Sequence, residues 1–240
     1  MKIKKFETYK NLCENAAAEL IKLLVSKPNA QICIAAGHSS LGVFDELIRA
    51  YKNSDVDFSQ AVFTAMDEWM DMNETTDGSC GDFLVKNFLS QVNFQDDNIS
   101  LVNGKSAEPE NECKRISSWI SSHGGMDHII LGVGMNGHLA LNEPGVSPES
   151  TVHVTKLDSV TKSVGQKYFE KAPQLEGGIT IGIKDIEQSG RVLLVVNGAR
   201  KAEIVKKIAD SDITGNIPAT FLKGWDHADI WCDSEAGALL

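Results

Sequence analysis

No stretch of the 240-residue chain approaches the roughly 18 consecutive apolar residues of a membrane span, and the basic N-terminal segment 1–12 is followed by no apolar signal-peptide core. A cytoplasmic location is expected. Metal-ligand spacings are also missing: Cys13, Cys33, Cys80, Cys113 and Cys232 are odd in number and scattered, with no CxxC, HExxH or HxH. Reduced thiols and no metal site are expected. Positive charge is in short supply, 23 lysines and arginines against 33 aspartates and glutamates, and the net charge of −10 repels nucleic acid and anionic membrane surfaces. A small phosphorylated ligand can still be held by a few local donors. The phosphate-loop pattern GxxxxGK[ST], internal repeats and low-complexity tracts are absent.

What is present is an alternation. Apolar, β-branched runs at 31–36, 61–66, 128–133, 191–196 and 228–232 read as buried strands, and amphipathic stretches at 9–26, 41–51, 80–91, 109–122, 161–170 and 201–209 read as helices. With 42% apolar residues the chain can bury one large core, and the polar stretch 93–112 reads as a connection within a domain. The expectation is an α/β fold: a single domain over residues 1–240, with a mostly parallel, doubly wound, Rossmann-like sheet and helices on both faces. Such sheets bind ligands beyond the carboxyl ends of their strands.

Three segments fall there. In AAGHSS, residues 35–40, Gly37, Ser39 and Ser40 stand between a strand and a helix, where free amides and hydroxyls suit a phosphate; the alternative is that a serine only caps the helix. In AMDEW, Asp67 and Glu68 are adjacent, so only one faces a site, as a candidate general base; the alternative is a cap or salt bridge. The third, GVGMNGHLALNEPG over residues 132–145, sets His138 and Glu143 among glycines after the apolar run HIIL. A histidine with a nearby carboxylate can move protons, or it can merely tie down the loop. Gly132, Gly134 and Gly137 also fit GxGxxG, with Asp158 about 20 residues on as a dinucleotide site would ask. Pro144, Gly145 and Pro148 oppose the crossover helix that such a site needs. Farther along, Arg200 and Lys201 open a helix where cations oppose its dipole, which makes Lys201 a candidate anion ligand.

Together these segments resemble the glucosamine/galactosamine-6-phosphate deaminase (isomerase) family, whose neighbours include 6-phosphogluconolactonases. The resemblance spans nearly the whole chain: AAGHSS as the phosphate turn, AMDEW as the base-bearing segment, GVGMNGHLALNEPG as the ring-opening loop, GGITIG as a later strand entry and ARKA as the lysine segment. DEW followed by GSC, NGHLALNEPG, GGITIGIKDI and IPATFL resemble galactosamine-6-phosphate isomerases more than the glucosamine-6-phosphate enzymes.

The resemblance implies an enzyme that converts an aminosugar 6-phosphate to a ketohexose 6-phosphate and ammonia, with no redox or metal cofactor. It makes Asp67 the base that moves a proton between C2 and C1, His138 the ring-opening group and Glu143 its partner. Gly37, His38, Ser39, Ser40, Lys167 and Lys201 would hold the 6-phosphate. Asn136 stands where the better-known glucosamine-6-phosphate enzymes have aspartate, and AGHSS replaces the usual TGGTP or TGSTP, so that His38 takes a small residue's place. Rival expectations are a 6-phosphogluconolactonase-like hydrolase, a non-catalytic sugar-phosphate-binding domain and a nicotinamide-dependent dehydrogenase. The implied partner is a phosphosugar, and the sequence leaves a homo-oligomer open. Segment 146–176 follows the loop as a candidate lid.

Overall fold

A computed structural model describes all 240 residues. Seven strands form one parallel sheet: β1 (Lys2–Lys5), β2 (Gln31–Ile34), β3 (Val62–Thr64), β5 (Ile99–Ser100), β6 (His128–Leu131), β9 (Val192–Val196) and β10 (Ala228–Cys232), in the order β1-β10-β9-β6-β2-β3-β5. The central strands β2, β6 and β9 are fully buried, as their apolar runs require. The edge strand β1 is the lysine-rich KIKK, whose charges discourage further pairing.

Around this sheet lie α1 (Tyr9–Ser26), α2 (Leu41–Lys52), α3 (Cys80–Asn87), α4 (Pro109–Ser122), α5 (Ser159–Gly165), α6 (Ile183–Glu187) and α7 (Ala202–Asp210). Their starts are encoded locally: Thr8 accepts from the Asn11 amide, Ser79 from Asp82 and Asp158 from Val160, while Pro109 opens α4. Helix α1 buries Leu12, Cys13, Ala16, Ala17, Leu20 and Leu24 on one stripe. All five cysteines are free and buried, and no helix is long and apolar enough to cross a membrane.

The α/β architecture matches expectation, with one addition. A second, antiparallel sheet of three strands, β4 (Asp67–Trp69), β8 (Gly177–Thr180) and β7 (His153–Lys156), runs in the order β4-β8-β7. The apolar run 61–66 therefore does not carry Asp67 at its end. Strand β3 stops at Thr64, and Asp67 begins β4, paired with Thr180. This short strand is set by partners more than 100 positions away, which a local pattern cannot show.

Candidate active site

The loops after β2, β6 and β9, three neighbouring strands at the centre of the sheet, open into a cavity of about 500 Å³. Asp67, His138, Gly37, His38, Ser39, Lys167 and Lys201 all line it.

Asp67 and Glu68 divide as strand alternation requires. Asp67 faces the cavity and is 8% exposed. Burial, reinforced by the charge of Glu68 and only partly offset by the Cys80 thiol, pushes its carboxyl up to about 7. Glu68 turns away and accepts backbone hydrogen bonds from Trp69 (2.8 Å), Cys80 (3.0 Å) and Gly81 (2.8 Å). The capping role thus falls to Glu68, while Asp67 has a proton affinity suited to neutral pH.

His138 is seated by its own loop. The Gly134 amide donates to the His138 carbonyl at 3.0 Å, and a Cβ on Gly134 would lie 2.4 Å from the imidazole, so the ring packs on bare backbone. Gly137 turns the chain at φ +87°. The ring Nδ1 lies 3.0 Å from Thr161 Oγ1 and 3.3 Å from Glu143 Oε2. Asn136 Nδ2 donates to Glu143 Oε2 at 2.8 Å, and Asn136 Oδ1 accepts from the His138 amide at 3.2 Å. Burial opposes ionisation of Glu143, but the bonds from His138, Thr161 and Asn136 prevail and hold its carboxyl below the usual range. Asn136 and Glu143 stand behind His138 and outside the cavity wall. Asn136 acts on the carboxylate and the backbone, not on the ring.

The dinucleotide alternative fails on the same loop. No crossover helix follows Gly137; the chain makes a Leu139–Asn142 bridge and runs to β7 in the second sheet. Asp158, its would-be ribose ligand, caps α5, and its amide donates to Glu143 Oε1 at 3.3 Å.

The opposite chemistry gathers at the 35–40 turn. Lys201 donates to the Val133 carbonyl at 2.6 Å, and burial, with Lys167 nearby, pushes its ammonium down to about 8. Burial and Arg200 lower Lys167 as well, so three cations crowd one end of the cavity without a carboxylate between them. Such a cluster has the chemistry to hold an anion. Tyr9 clamps the turn: its hydroxyl donates to the Ser39 carbonyl (3.0 Å) and accepts from the Gly42 amide (2.9 Å). Ser40 lies apart from the other expected ligands. It is buried at the start of α2, outside the cavity wall, and neither it nor Ser39 makes a capping bond.

Sequence reasoning missed four contributors. Thr161 and Tyr168 reach the cavity from segment 146–176, Cys80 enters from α3, and Tyr9 supports the turn from α1. Tyr168 packs its ring 5.2 Å from that of His38. Only GSC, already conspicuous beside DEW, offered a signal for Cys80; the others lie in ordinary amphipathic sequence.

Residues 4–231 match the model of the family described as glucosamine-6-phosphate isomerases/6-phosphogluconolactonase. AgaI of Escherichia coli (strain K12), named as a deaminase, is 36% identical over 96% of this chain and 90% of its own. The glucosamine-6-phosphate deaminase of Clostridium acetobutylicum is 31% identical over the full length of both chains. A solved monomeric glucosamine-6-phosphate deaminase superposes over both full chains with a TM-score of 0.96 and 29% identity. Matched by the family model over nearly its whole length and by relatives more than 30% identical across it, this chain belongs to the family of glucosamine-6-phosphate isomerases and 6-phosphogluconolactonases.

Proposed function

We propose that the protein is an aminosugar-6-phosphate deaminase that converts galactosamine 6-phosphate, or its glucosamine epimer, and water to a ketohexose 6-phosphate and ammonia. The observation that carries this reading is one cavity holding a buried carboxyl of near-neutral proton affinity, a carboxylate-backed histidine and a cluster of cations. The cations and the 35–40 turn hold the 6-phosphate. His138, with Nδ1 engaged by Thr161 and Glu143, uses Nε2 to move the anomeric hydroxyl proton to the ring oxygen, which opens the pyranose. Asp67 then takes the C2 proton, giving an enolamine, and returns it to C1. Water adds to the resulting C2 imine, and ammonia leaves. One chain supplies every group, so a single copy suffices, and a reaction on a diffusible phosphosugar fits a cytoplasmic protein.

The motif wording around DEW, GSC and NEPG supports the galactosamine epimer as the preferred substrate. Ammonia release from the two epimers, run side by side with a 6-phosphogluconolactone hydrolysis control, tests the reading. Release from galactosamine 6-phosphate with the higher kcat/KM is expected. Lactone hydrolysis without ammonia release would place the chain with the lactonases, and inactivity on all three would overturn the enzyme reading.

A further inference from the structure

The base proposed above sits in an unpromising place. The start of a helix offers free amides and the positive end of a dipole, both of which stabilise an anion and weaken a base. Asp67 lies beside the first turn of the eight-residue α3, with Cys80 in the same cavity wall, yet its carboxyl accepts no hydrogen bond from the backbone. Glu68 has taken those donors. Fully buried, it accepts from the amides of both Cys80 and Gly81 and, across its own strand, from Trp69. Burial leaves the Glu68 carboxyl raised, against the downward pull of the three amides and the Ser79 hydroxyl. A proton on Glu68 would convert an acceptor into a donor facing N–H groups, so Glu68 is the anion of the pair.

The groups packed on Asp67 from other elements are uncharged, while the cations Lys167, Arg200 and Lys201 line the same cavity around the 35–40 turn. Cys33 of β2, Cys80 of α3 and Tyr168 are all held protonated by burial, and Thr180 of β8 pairs opposite Asp67. His138 shares the cavity but belongs to the loop after β6. Glu68 is therefore the charged neighbour acting directly on Asp67.

We propose that Glu68 is a positioning residue for proton transfer at Asp67: a buried carboxylate that occupies the donors at the start of α3 and, by like charge, keeps Asp67 a stronger base than a helix start would allow. This rests on Asp67 being the base.

The test combines carboxyl ¹³C NMR titration of the full-length protein, using Asp67→Asn to assign the signal, with pH profiles of kcat/KM for ammonia release. In the wild type, Asp67 is expected to titrate near neutrality while Glu68 stays ionised. In Glu68→Gln, the Asp67 midpoint and the acid limb of kcat/KM should move down together by about one pH unit, a tenfold change in protonation equilibrium. Glu68→Asp, which keeps the charge, should leave the acid limb near its wild-type position even where stability falls. Loss of activity in Glu68→Gln with an unmoved acid limb and midpoint would reduce Glu68 to a structural cap and overturn the proposal. Should Glu68→Gln fail to fold, the wild-type titration decides: a Glu68 signal that titrates near neutrality above an acidic Asp67 overturns it, and the reverse order supports it. The NMR arm needs no substrate, so a wild type that releases no ammonia removes the base assignment while the Glu68–Asp67 coupling is still read.

Discussion

The Nδ1 of His138 lies 3.3 Å from Oε2 of Glu143, with Thr161 Oγ1 at 3.0 Å from the same nitrogen. One ring nitrogen is thus committed to the protein, and Nε2, with no partner in the chain, remains for the substrate. Because Asn136 reaches only Glu143 and the His138 backbone, an imidazolium at His138 in the proposed ring opening would be compensated there by one full negative charge, on Glu143.

Glu143→Gln should therefore lower kcat by roughly 10²-fold, within the span that positioned acid–base groups supply, and leave KM nearly unchanged. The amide keeps the shape but loses the charge and adds donors that face the Asn136 amide. Steady-state kinetics on the folded variant check this; an unchanged kcat would remove Glu143 from the relay.

Asp67→Asn should abolish turnover and retain phosphosugar binding. It should also raise thermal stability at pH 8. The folded carboxyl titrates at about 7, above an unfolded value of about 3.9. Between those values the native state binds more protons, so stability falls as pH rises and the loss is complete above about 7. Asparagine carries no such penalty. Thermal melts at pH 8 and near pH 4 should show the gain only at pH 8, and in the wild type kcat/KM should fall below about pH 7 as Asp67 takes up its proton.

How much of this was legible depended on how local the determinant is. Helices α1 and α4 begin and end where periodicity and caps place them, and β10 coincides with its apolar run. The three site-bearing turns were visible because glycines and polar residues interrupt buried strands. The sheet β4-β8-β7 was not: β4 has three residues, and its pairing with β8 spans more than 100 positions. Thr161 and Tyr168 escaped notice for the same reason. Each is an unexceptional residue of its own segment that gains a role only when that segment packs over the cavity.

Lys201→Ala should raise KM by roughly 10- to 100-fold with a smaller effect on kcat, since it removes a partly buried charge that the proposed function sets against the 6-phosphate. The ammonium titrates at about 8, so in the wild-type enzyme KM should climb above that pH as the charge is lost. Lys167→Ala removes a like charge that helps hold Lys201 down and should move this alkaline limb to higher pH. An unmoved limb in Lys167→Ala would show that the two cations do not share one anion site.

A last prediction concerns the amino ends of the strands, remote from the chemistry. Glu19 of α1 accepts from Arg191 Nε at 2.6 Å and sits 3.2 Å from His128 Nε2 at the start of β6, while Arg191 also pairs with Asp229 of β10 at 2.9 Å. The His128 bond, against the cost of burial and together with Arg191, pulls the Glu19 carboxyl down to about 2. A folded value below the unfolded one contributes stability that is complete above about pH 4.3 and is lost as pH falls toward 2. Glu19→Gln should therefore cost about 1–2 kcal/mol at pH 7 and less at pH 3, with KM and kcat retained. Urea unfolding at the two pH values measures this. An equal loss at both would assign the destabilisation to packing of the helix on the sheet, because only the charged network loses its advantage in acid.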